Sequence, residues 1–285
     1  MSILINETPV EFDFIGKSVR QVVQNIDRDL EKINFVITGI SLNNNEIHTN
    51  FDSYAEQILK ENDNLSVTTE AVSDIKAKAI STILNILIVL EGDEDISQIQ
   101  SSWEGFSKTF TSFFSAEECS FLESIGSMIQ NPQALSATEK MKRCRELSLF
   151  FKERLDECIQ PVEAMQAGAQ LFERLRSDLA NTSVLLQTGK EQEAIRNITL
   201  LIEIINKVIR IMPGFFITLR IANEPVINDE KLSVFFENFN KNLNELIAAF
   251  ENKDTVLLGD LIEYEILPKL EALFASFKMY SDKGI

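Results

Sequence analysis

The sequence predicts an α+β protein that is mostly α-helical, with a small β-grasp-like unit followed by a helical bundle or a stack of helical hairpins. Residues 1–70 combine short β-rich runs with one amphipathic helix, whereas residues 71–285 show helical periodicity throughout. Of the 285 residues 45% are apolar, and Gly (10) and Pro (6) are scarce, as expected of a globular chain with a large core. We therefore expect two domains, divided between residues 70 and 71.

The N-terminal unit is predicted from the order of its elements, which is strand, strand, helix, strand, strand. An apolar run at residues 3–5 and the alternation of apolar with acidic residues over 10–14 indicate the first two strands. Apolar residues at spacings of three and four over 19–33 indicate the helix. Residues 35–42 and 64–69 are rich in residue types that favour strands. This order is that of a β-grasp, or ubiquitin-like, unit.

The segment from Gly16 to Ser18 has the Gly-Lys-Ser ending of a phosphate-binding P-loop. The P-loop requires a glycine five residues before Gly16, and that position is Glu11, whose charge would repel a phosphate. Ser18 and Gln21 instead have the spacing of a capping box, in which each side chain satisfies an N–H of the first helical turn. We therefore interpret this segment as the start of a helix.

The second domain is predicted to consist of helices. A helix over 71–90 ends at an acidic loop, 91–95. Two S-x-x-E capping boxes, beginning at Ser115 and Ser136, indicate two further helix starts. Pro161 is expected to end or kink the second of these helices, because proline has no N–H to donate.

The last third of the chain suggests an internal repeat of two helical hairpins, at residues 171–212 and 235–277. In each hairpin the apolar residues are predicted to fill continuous stripes on the helices. The stripes contain Ile195, Ile198, Leu201, Ile202, Ile205, Val208, Ile209 and Met212 in the first hairpin, and Leu232, Phe235, Phe236, Phe239, Leu243, Leu246, Ile247, Phe250, Leu257, Leu261, Tyr264, Leu267, Leu270, Phe274 and Phe277 in the second.

The formal net charge of −17, from 27 Lys and Arg against 44 Asp and Glu, argues against two classes of partner. Binding to nucleic acid or to an anionic membrane surface requires clustered basic residues, and the sequence has no such cluster. An acidic surface favours basic protein partners instead. Because no apolar run is long enough to span a bilayer and no secretory signal pattern is present, we expect a cytoplasmic protein.

Residue types that bind metals or carry catalysis are sparse. Cys119, Cys144 and Cys158 are odd in number and widely spaced, which predicts reduced thiols rather than disulfides or a zinc site. His48 is the single histidine and lies in a polar loop, so a Ser–His–acid triad is not expected. The acidic loop at 91–95 lacks the EF-hand pattern for calcium. We therefore expect no metal and no cofactor.

A cluster of carboxylates supports an alternative function. Asp260 and Glu263 are three residues apart and share a face of the predicted helix, with Glu265 close by. Paired carboxylates can perform acid–base chemistry when burial separates their pKa values, although most such clusters are solvated faces. An enzyme that uses Asp260 and Glu263, such as a cation-dependent hydrolase, is therefore one alternative.

Two phenylalanine-rich segments are candidate partner-binding sites. Aromatic residues at helical spacing either pack in the core or form an exposed surface for a partner helix, and the sequence leaves both interpretations open. The candidate residues are Phe106, Phe110, Phe113, Phe114, Phe215 and Phe216.

Residues 249–265, AFENKDTVLLGDLIEYE, resemble a stretch found in uncharacterised bacterial helical proteins, and residues 3–39 are similar to the start of some of these proteins. The resemblance implies no activity, cofactor or functional residue. The expected function is that of a non-enzymatic cytoplasmic protein that binds another protein as an adaptor, a chaperone-like factor or an accessory factor. The first alternative is a homo-oligomeric structural protein whose hairpins self-associate, and the second is the carboxylate enzyme.

Overall fold

The computed structural model describes residues 2–10, 15–92, 97–221 and 224–282. The predicted class is confirmed, because a small mixed sheet comes first and helices follow. The chain divides into two compact units, Met1–Ile159 and Gln160–Ile285, and the change from sheet to helices at Ala71 lies inside the first unit. Within the described ranges, no helix combines the length and the apolar composition that a bilayer crossing requires.

The first unit begins with a five-stranded mixed sheet and its helices. The elements are β1 (Ser2–Ile5), β2 (Thr8–Val10), α1 (Val19–Glu31), β3 (Phe35–Leu42), β4 (Asn45–Glu46), α2 (Phe51–Tyr54) and β5 (Asn64–Ala71). The strands lie in the order β2-β1-β5-β3-β4. The central pair, β1 and β5, is parallel, and the other neighbours are antiparallel. This order, with one helix packed on the sheet, is the β-grasp topology. Phe12 and Phe14, which the sequence places in the second strand, lie outside the described residues.

The sheet and α1 bury a common core. The apolar face of α1 has the spacing that the sequence predicts, and its buried residues meet those of the three central strands. Ile33 is 56% exposed because α1 ends at Glu31, so the predicted helical face is one turn too long. The core contains Ile3, Val19, Val22, Val23, Ile26, Leu30, Ile40, Leu42, Ile47, Leu59, Leu65 and Val67.

Capping boxes begin three helices of this unit, as the sequence predicts. The hydroxyl oxygens of Ser18, Ser115 and Ser136 each accept a hydrogen bond from the backbone N–H three residues later. The Gln or Glu side chain at that later position accepts from the serine N–H in return. Gly16 has φ of +77°, a left-handed conformation that permits the turn before α1. The Gly-Lys-Ser segment is therefore a helix start.

The remaining helices of the first unit form a second core. The helices are α3 (Val72–Glu91), α4 (Ser97–Phe110), α5 (Ala116–Gln130) and α6 (Ala137–Ile159). The long helices α3 and α6 pack against each other, and α4 and α5 cover them. Their core includes Ile80, Ile83, Leu87, Leu90, Trp103, Ile125, Ile129, Cys144, Leu147 and Phe151.

The described residues of the second unit form helices and one short β-hairpin. The elements are α7 (Pro161–Ala180), α8 (Thr182–Gln187), α9 (Glu191–Thr218), β6 (Val226–Ile227), β7 (Glu230–Lys231), α10 (Leu232–Glu251), α11 (Thr255–Asp260), a π-helical segment (Leu261–Ile266) and α12 (Leu267–Asp282). In the first half of the unit α7 and α8 pack against α9. In the second half α10 packs against the returning helix, which consists of α11, the π-helical segment and α12.

The π-helical segment changes which residues of the returning helix face the core. The N–H of Leu267 donates to the carbonyl of Ile262, five residues earlier, and the next residue, Pro268, has no N–H to donate. The wider turn takes Tyr264 out of line with the buried positions, and its side chain is 65% exposed. The prediction that Tyr264 belongs to the stripe that packs in the hairpin is therefore wrong.

The stripe predicted on α10 is also broader than the face that this helix buries. Ile247 and Phe250 each follow a buried residue by one position, a rotation of about 100° around the helix. Their exposed fractions are 56% and 54%, and Leu257 on the returning helix is 44% exposed. Ile247 and Phe250 therefore lie outside the buried face of α10, and Leu257 lies outside that of the returning helix. The residues that α10 buries are Phe235, Phe239, Leu246 and Ala249.

Gly259 on α11 marks the closest approach of that helix to α8. A Cβ atom at Gly259 would lie 2.6 Å from Oγ of Ser183 and 2.9 Å from its Cα. The Cα atom belongs to the backbone of α8, so a side-chain rotation cannot relieve the collision. Only glycine allows the two helices to meet at this distance.

We expect Gly259→Ala to lower the free energy of unfolding by about 1–2 kcal/mol, because overpacking outweighs the better helix propensity of alanine. Urea unfolding of the full chain measures this change. The matched control is Gly105→Ala, since no atom lies within 4 Å of a Cβ at that helical position. The control should unfold at the same or a higher urea concentration than the parent chain. Equal effects of the two substitutions would contradict the close approach.

Candidate functional site

The candidate phenylalanines of the first unit pack against its helical core. Phe106 and Phe114 are buried, whereas Phe110 and Phe113 are partly buried. The ring of Phe106 lies between those of Trp103 and Phe110, with centroid distances of 5.3 and 5.1 Å. These contacts favour core packing for Phe106 and Phe114, while Phe110 and Phe113 keep part of their surface in water.

The candidate phenylalanines of the second unit lie near the end of α9, where Pro213 stands inside the helix and does not end it. Phe215 is buried, and its ring centroid is 5.1 Å from that of Phe277. Phe216 is partly buried and contacts the rings of Phe277 and Tyr280. Four of the six candidates therefore belong to the first unit and two to the second.

An exposed apolar row on α9 is the surface feature that the sequence analysis missed. Ile195, Ile202 and Ile209 are spaced by seven residues and are 49%, 47% and 43% exposed. Because seven residues make about two helical turns, the three side chains share one face of α9. We call these residues the isoleucine stripe. The sequence places them in the buried stripe of the first hairpin, and the structure corrects that prediction.

Uncharged residues continue the isoleucine stripe between its members. Thr199 and Asn206 are exposed at the intervening positions. The hydroxyl of Thr199 donates to the carbonyl of Ile195 at 3.0 Å, so the methyl group of Thr199 is left to form the outer surface. The opposite side of α9 packs in the core through Ala194, Ile198, Leu201, Ile204, Ile205, Val208, Ile211 and Phe215.

Further exposed apolar side chains flank the turn between α10 and α11. Ile247 and Phe250 precede the turn, and Val256 and Leu257 follow it, with exposed fractions from 44% to 56%. The side chain of Asp254 caps α11 by accepting a hydrogen bond from the N–H of Leu257. The second unit thus has apolar surface at this turn as well as on α9.

The carboxylates of the alternative enzyme are located around Tyr264. A hydrogen bond to the Glu263 carboxylate raises the pKa of the Tyr264 hydroxyl, and the charge of Asp260 adds to this effect. Glu265 accepts a hydrogen bond from Asn242 of α10 at 2.7 Å and thus joins the two helices of the hairpin. Within the described ranges, no three or more His, Cys, Asp or Glu residues are grouped as metal ligands.

The other polar candidates lie apart from one another. His48 is exposed in a short 3₁₀ turn. Glu91 of the acidic loop forms an ion pair with Arg145 at 2.9 Å, and residues 93–95 of that loop lie outside the described ranges. The three cysteines are free thiols.

A buried ionic cluster joins α3, α5 and α6 of the first unit. The Glu118 carboxylate is buried, and its Oε2 accepts from Nζ of Lys76 at 2.7 Å and from the N–H of Ser115 at 2.8 Å. Arg154 places its Nε 3.7 Å from Oε1 of Glu118 and its Nη1 3.3 Å from Oε1 of Glu157. Lys76 and Arg154 therefore compensate the buried carboxylates of Glu118 and Glu157, and of these four side chains only that of Lys76 is partly exposed, at 16%.

Aromatic rings surround the cations of this cluster. The guanidinium of Arg154 lies 4.4 Å from the ring centroid of Phe150, and Nζ of Lys76 lies 5.4 Å from that of Phe114. Cation–π attraction is strongest for desolvated cations, so these rings stabilise the buried charge of Arg154 and the largely desolvated charge of Lys76. The contact gives Phe114 a structural role inside the first unit.

One feature of the sequence indicates this cluster. Arg154 and Glu157 continue the apolar spacing of Leu147 and Phe151 on α6, so charged residues occupy positions of its buried face. A charged side chain on such a face needs an opposite charge. The identity of the partners could not be predicted, because Lys76 and Glu118 lie far from α6 in the sequence.

The thiol of Cys158 adjoins the ionic cluster. Burial raises the pKa of Cys158 to about 11; the nearby charge of Lys76 acts in the opposite direction but does not offset burial. Burial likewise raises the pKa of Cys144. Reactive cysteines have a lowered pKa, so both thiols have the properties of structural residues.

Two family models match parts of the chain. Residues 163–275 match a domain of unknown function, DUF8042, and residues 1–71 match the TP0873 N-terminal domain. The second match ends at Ala71, the last residue of the sheet, and the first contains the isoleucine stripe. No curated protein and no solved structure matches the chain. The matches agree with the resemblance to uncharacterised proteins and assign no activity.

We expect Arg154→Met to lower the free energy of unfolding by about 3–5 kcal/mol, because the Glu118 carboxylate would stay buried with too little positive charge around it. The double variant with Glu118→Gln should lose less than the sum of the two single variants, since both act on one interaction. Urea unfolding measures all three. Lys108→Met is the control, because it removes an exposed ion pair with Glu104 and should leave stability unchanged. If Arg154→Met lowered the free energy of unfolding as little as Lys108→Met does, the stabilising role of the ionic cluster would be contradicted.

We expect Cys158 in the folded chain to react with iodoacetamide at pH 8 about a hundredfold more slowly than in the urea-unfolded chain, because only the thiolate reacts. Peptide mass spectrometry resolves the rate at this residue. The slower reaction follows from the raised pKa of Cys158. Below about pH 11 the folded thiol keeps its proton. An ordinary thiol has a pKa of 9.0 and has largely lost its proton above pH 9.0. Equal rates in both states would show that Cys158 is not desolvated.

Proposed function

We propose that this chain is a non-enzymatic cytoplasmic protein that binds another protein, and that the isoleucine stripe of α9 receives an amphipathic helix of the partner. The observation that supports the proposal is the seven-residue spacing of three half-exposed isoleucines. Single exposed apolar residues are common on protein surfaces, but a row without intervening charge marks an interaction surface. The spacing is that of a helix that pairs with another helix.

The energetics of the stripe fit a specific contact of modest strength. Each isoleucine is about half exposed, so covering it contributes about 1 kcal/mol. Partner residues at positions i, i+3 or i+4, and i+7 would pack between the three isoleucines. The apolar surface at the α10–α11 turn, which includes Phe250, can add to the area covered.

The net negative charge of the chain supports a partner that is basic. The chain carries a net charge of −17, and complementary charge speeds association and disfavours acidic competitors. On α9 itself, three acidic and three basic residues balance. The contact with the stripe should therefore resist salt, while the rate of association should fall as salt increases.

The balanced charge of α9 also supports self-association as a second candidate function. Two copies of this helix would not repel each other, and identical stripes would meet in a twofold arrangement. The chain would then be a homo-oligomeric structural protein, and the stripe would be the surface that joins its copies.

We expect a photo-cross-linking amino acid at position 202 of the full chain, in extract of its native cells, to give one major adduct. The proposal requires a partner segment with apolar residues at helical spacing, identified by mass spectrometry of the cross-linked peptide. The matched control carries the same amino acid at position 88, where Ile88 is 66% exposed on α3, and should give no major adduct.

The result of cross-linking at position 202 separates the candidate functions. An adduct with a second copy of the chain would replace the proposal by self-association. Identical adducts at positions 202 and 88, or none at either, would contradict both candidates. Once the partner is known, Ile202→Ser should weaken binding by about fivefold, whereas Ile88→Ser should not.

A further inference from the structure

A small pocket opens in the second unit between α7, the end of α9 and α12. Its volume is about 270 Å³. Four buried side chains form its apolar floor, namely Met165, Phe215, Phe274 and Phe277. None of the residues of the isoleucine stripe lines it, so the pocket is separate from the surface assigned to protein binding.

The rim of the pocket is polar and carries one charge of each sign. Lys278 and Asp282 lie one helical turn apart on α12, and within the described part of the chain neither forms an ion pair. Gln166 and Gln170 of α7 stand on the opposite rim, and the amide of Gln166 donates to the hydroxyl of Ser281 at 3.2 Å. The rim therefore offers a cation, an anion and amide groups above an aromatic floor.

We propose that this pocket binds a free α-amino acid with a large apolar side chain. The side chain would lie against the floor of Phe215, Phe274 and Phe277, its carboxylate beside Lys278 and its ammonium group beside Asp282. The size supports a single amino acid, because the volume lies just below the range of about 300–1,000 Å³ that holds larger ligands. Opposite rim charges favour a zwitterion over an apolar acid or an apolar amine, since each of those would leave one charge without a partner.

Titration calorimetry of the full chain with L-phenylalanine tests the proposal. We expect saturable binding with a Kd of about 0.1–1 mM, as suits a ligand of this size. Both 3-phenylpropionate and 2-phenylethylamine should bind about two- to fivefold more weakly, because each lacks one of the two charges. L-leucine and L-methionine should also bind, since the floor selects apolar bulk.

Variants locate the binding in the pocket. Ala169 lines it, and Ala169→Phe should abolish binding by filling the space. Lys278→Gln and Asp282→Asn should each weaken binding about two- to fivefold with no change in the thermal unfolding midpoint, because both side chains are exposed. Lys241→Gln, which removes an exposed lysine of α10 outside the pocket, should bind as the parent chain does.

Three results would overturn the proposal. The first is the absence of saturable binding for L-phenylalanine, L-leucine and L-methionine up to about 10 mM. The second is binding that is unchanged in both Ala169→Phe and Lys278→Gln, which would locate the amino acid elsewhere. The third is binding of 3-phenylpropionate or 2-phenylethylamine as tight as that of L-phenylalanine, which would show that the pocket does not recognise a zwitterion.

Discussion

Burial of one side of α9 is the constraint on which the second unit depends. Helices α7 and α8 pack against this helix, and nine of its residues are buried. An α-helix of 28 residues cannot be buried on all sides by so few neighbours, so one face must meet water. That face carries Ile195, Ile202 and Ile209. The packing that stabilises the unit therefore also determines which apolar residues stay exposed.

In the first unit, the helices are joined by apolar packing and also by desolvated charges. Removing Glu118, Arg154 and Glu157 from water is costly, and the ion pairs among these residues and the partly exposed Lys76 offset this cost. A shift of α3 or α6 would separate the charges. The cluster therefore selects one arrangement of the three helices, in addition to the less specific burial of residues such as Leu87 and Phe151.

Local signals predicted the parts of the fold that local interactions determine. The strand and helix order of the β-grasp unit and the capping boxes at Ser18, Ser115 and Ser136 were readable because each depends on residues a few positions apart. The exposure of Tyr264 was not readable, since it depends on a π-helical segment. The ionic cluster and the contact of Gly259 with Ser183 join residues far apart in the sequence. For the same reason, periodicity could not separate the buried from the exposed isoleucines of α9.

The geometry of the isoleucine stripe limits the strength of the proposed partner contact. From Ile195 to Ile209 the stripe spans 14 residues, which is about 21 Å of helix. An undistorted helix drifts about 20° per heptad from a seven-residue repeat, so a straight partner helix stays in register for about this length. Such a short pairing falls below the roughly 800 Å² per partner of a standard stable interface. Under the proposed function, the stripe alone would therefore form a contact that exchanges partners, and a permanent assembly would need the surface around Phe250 as well.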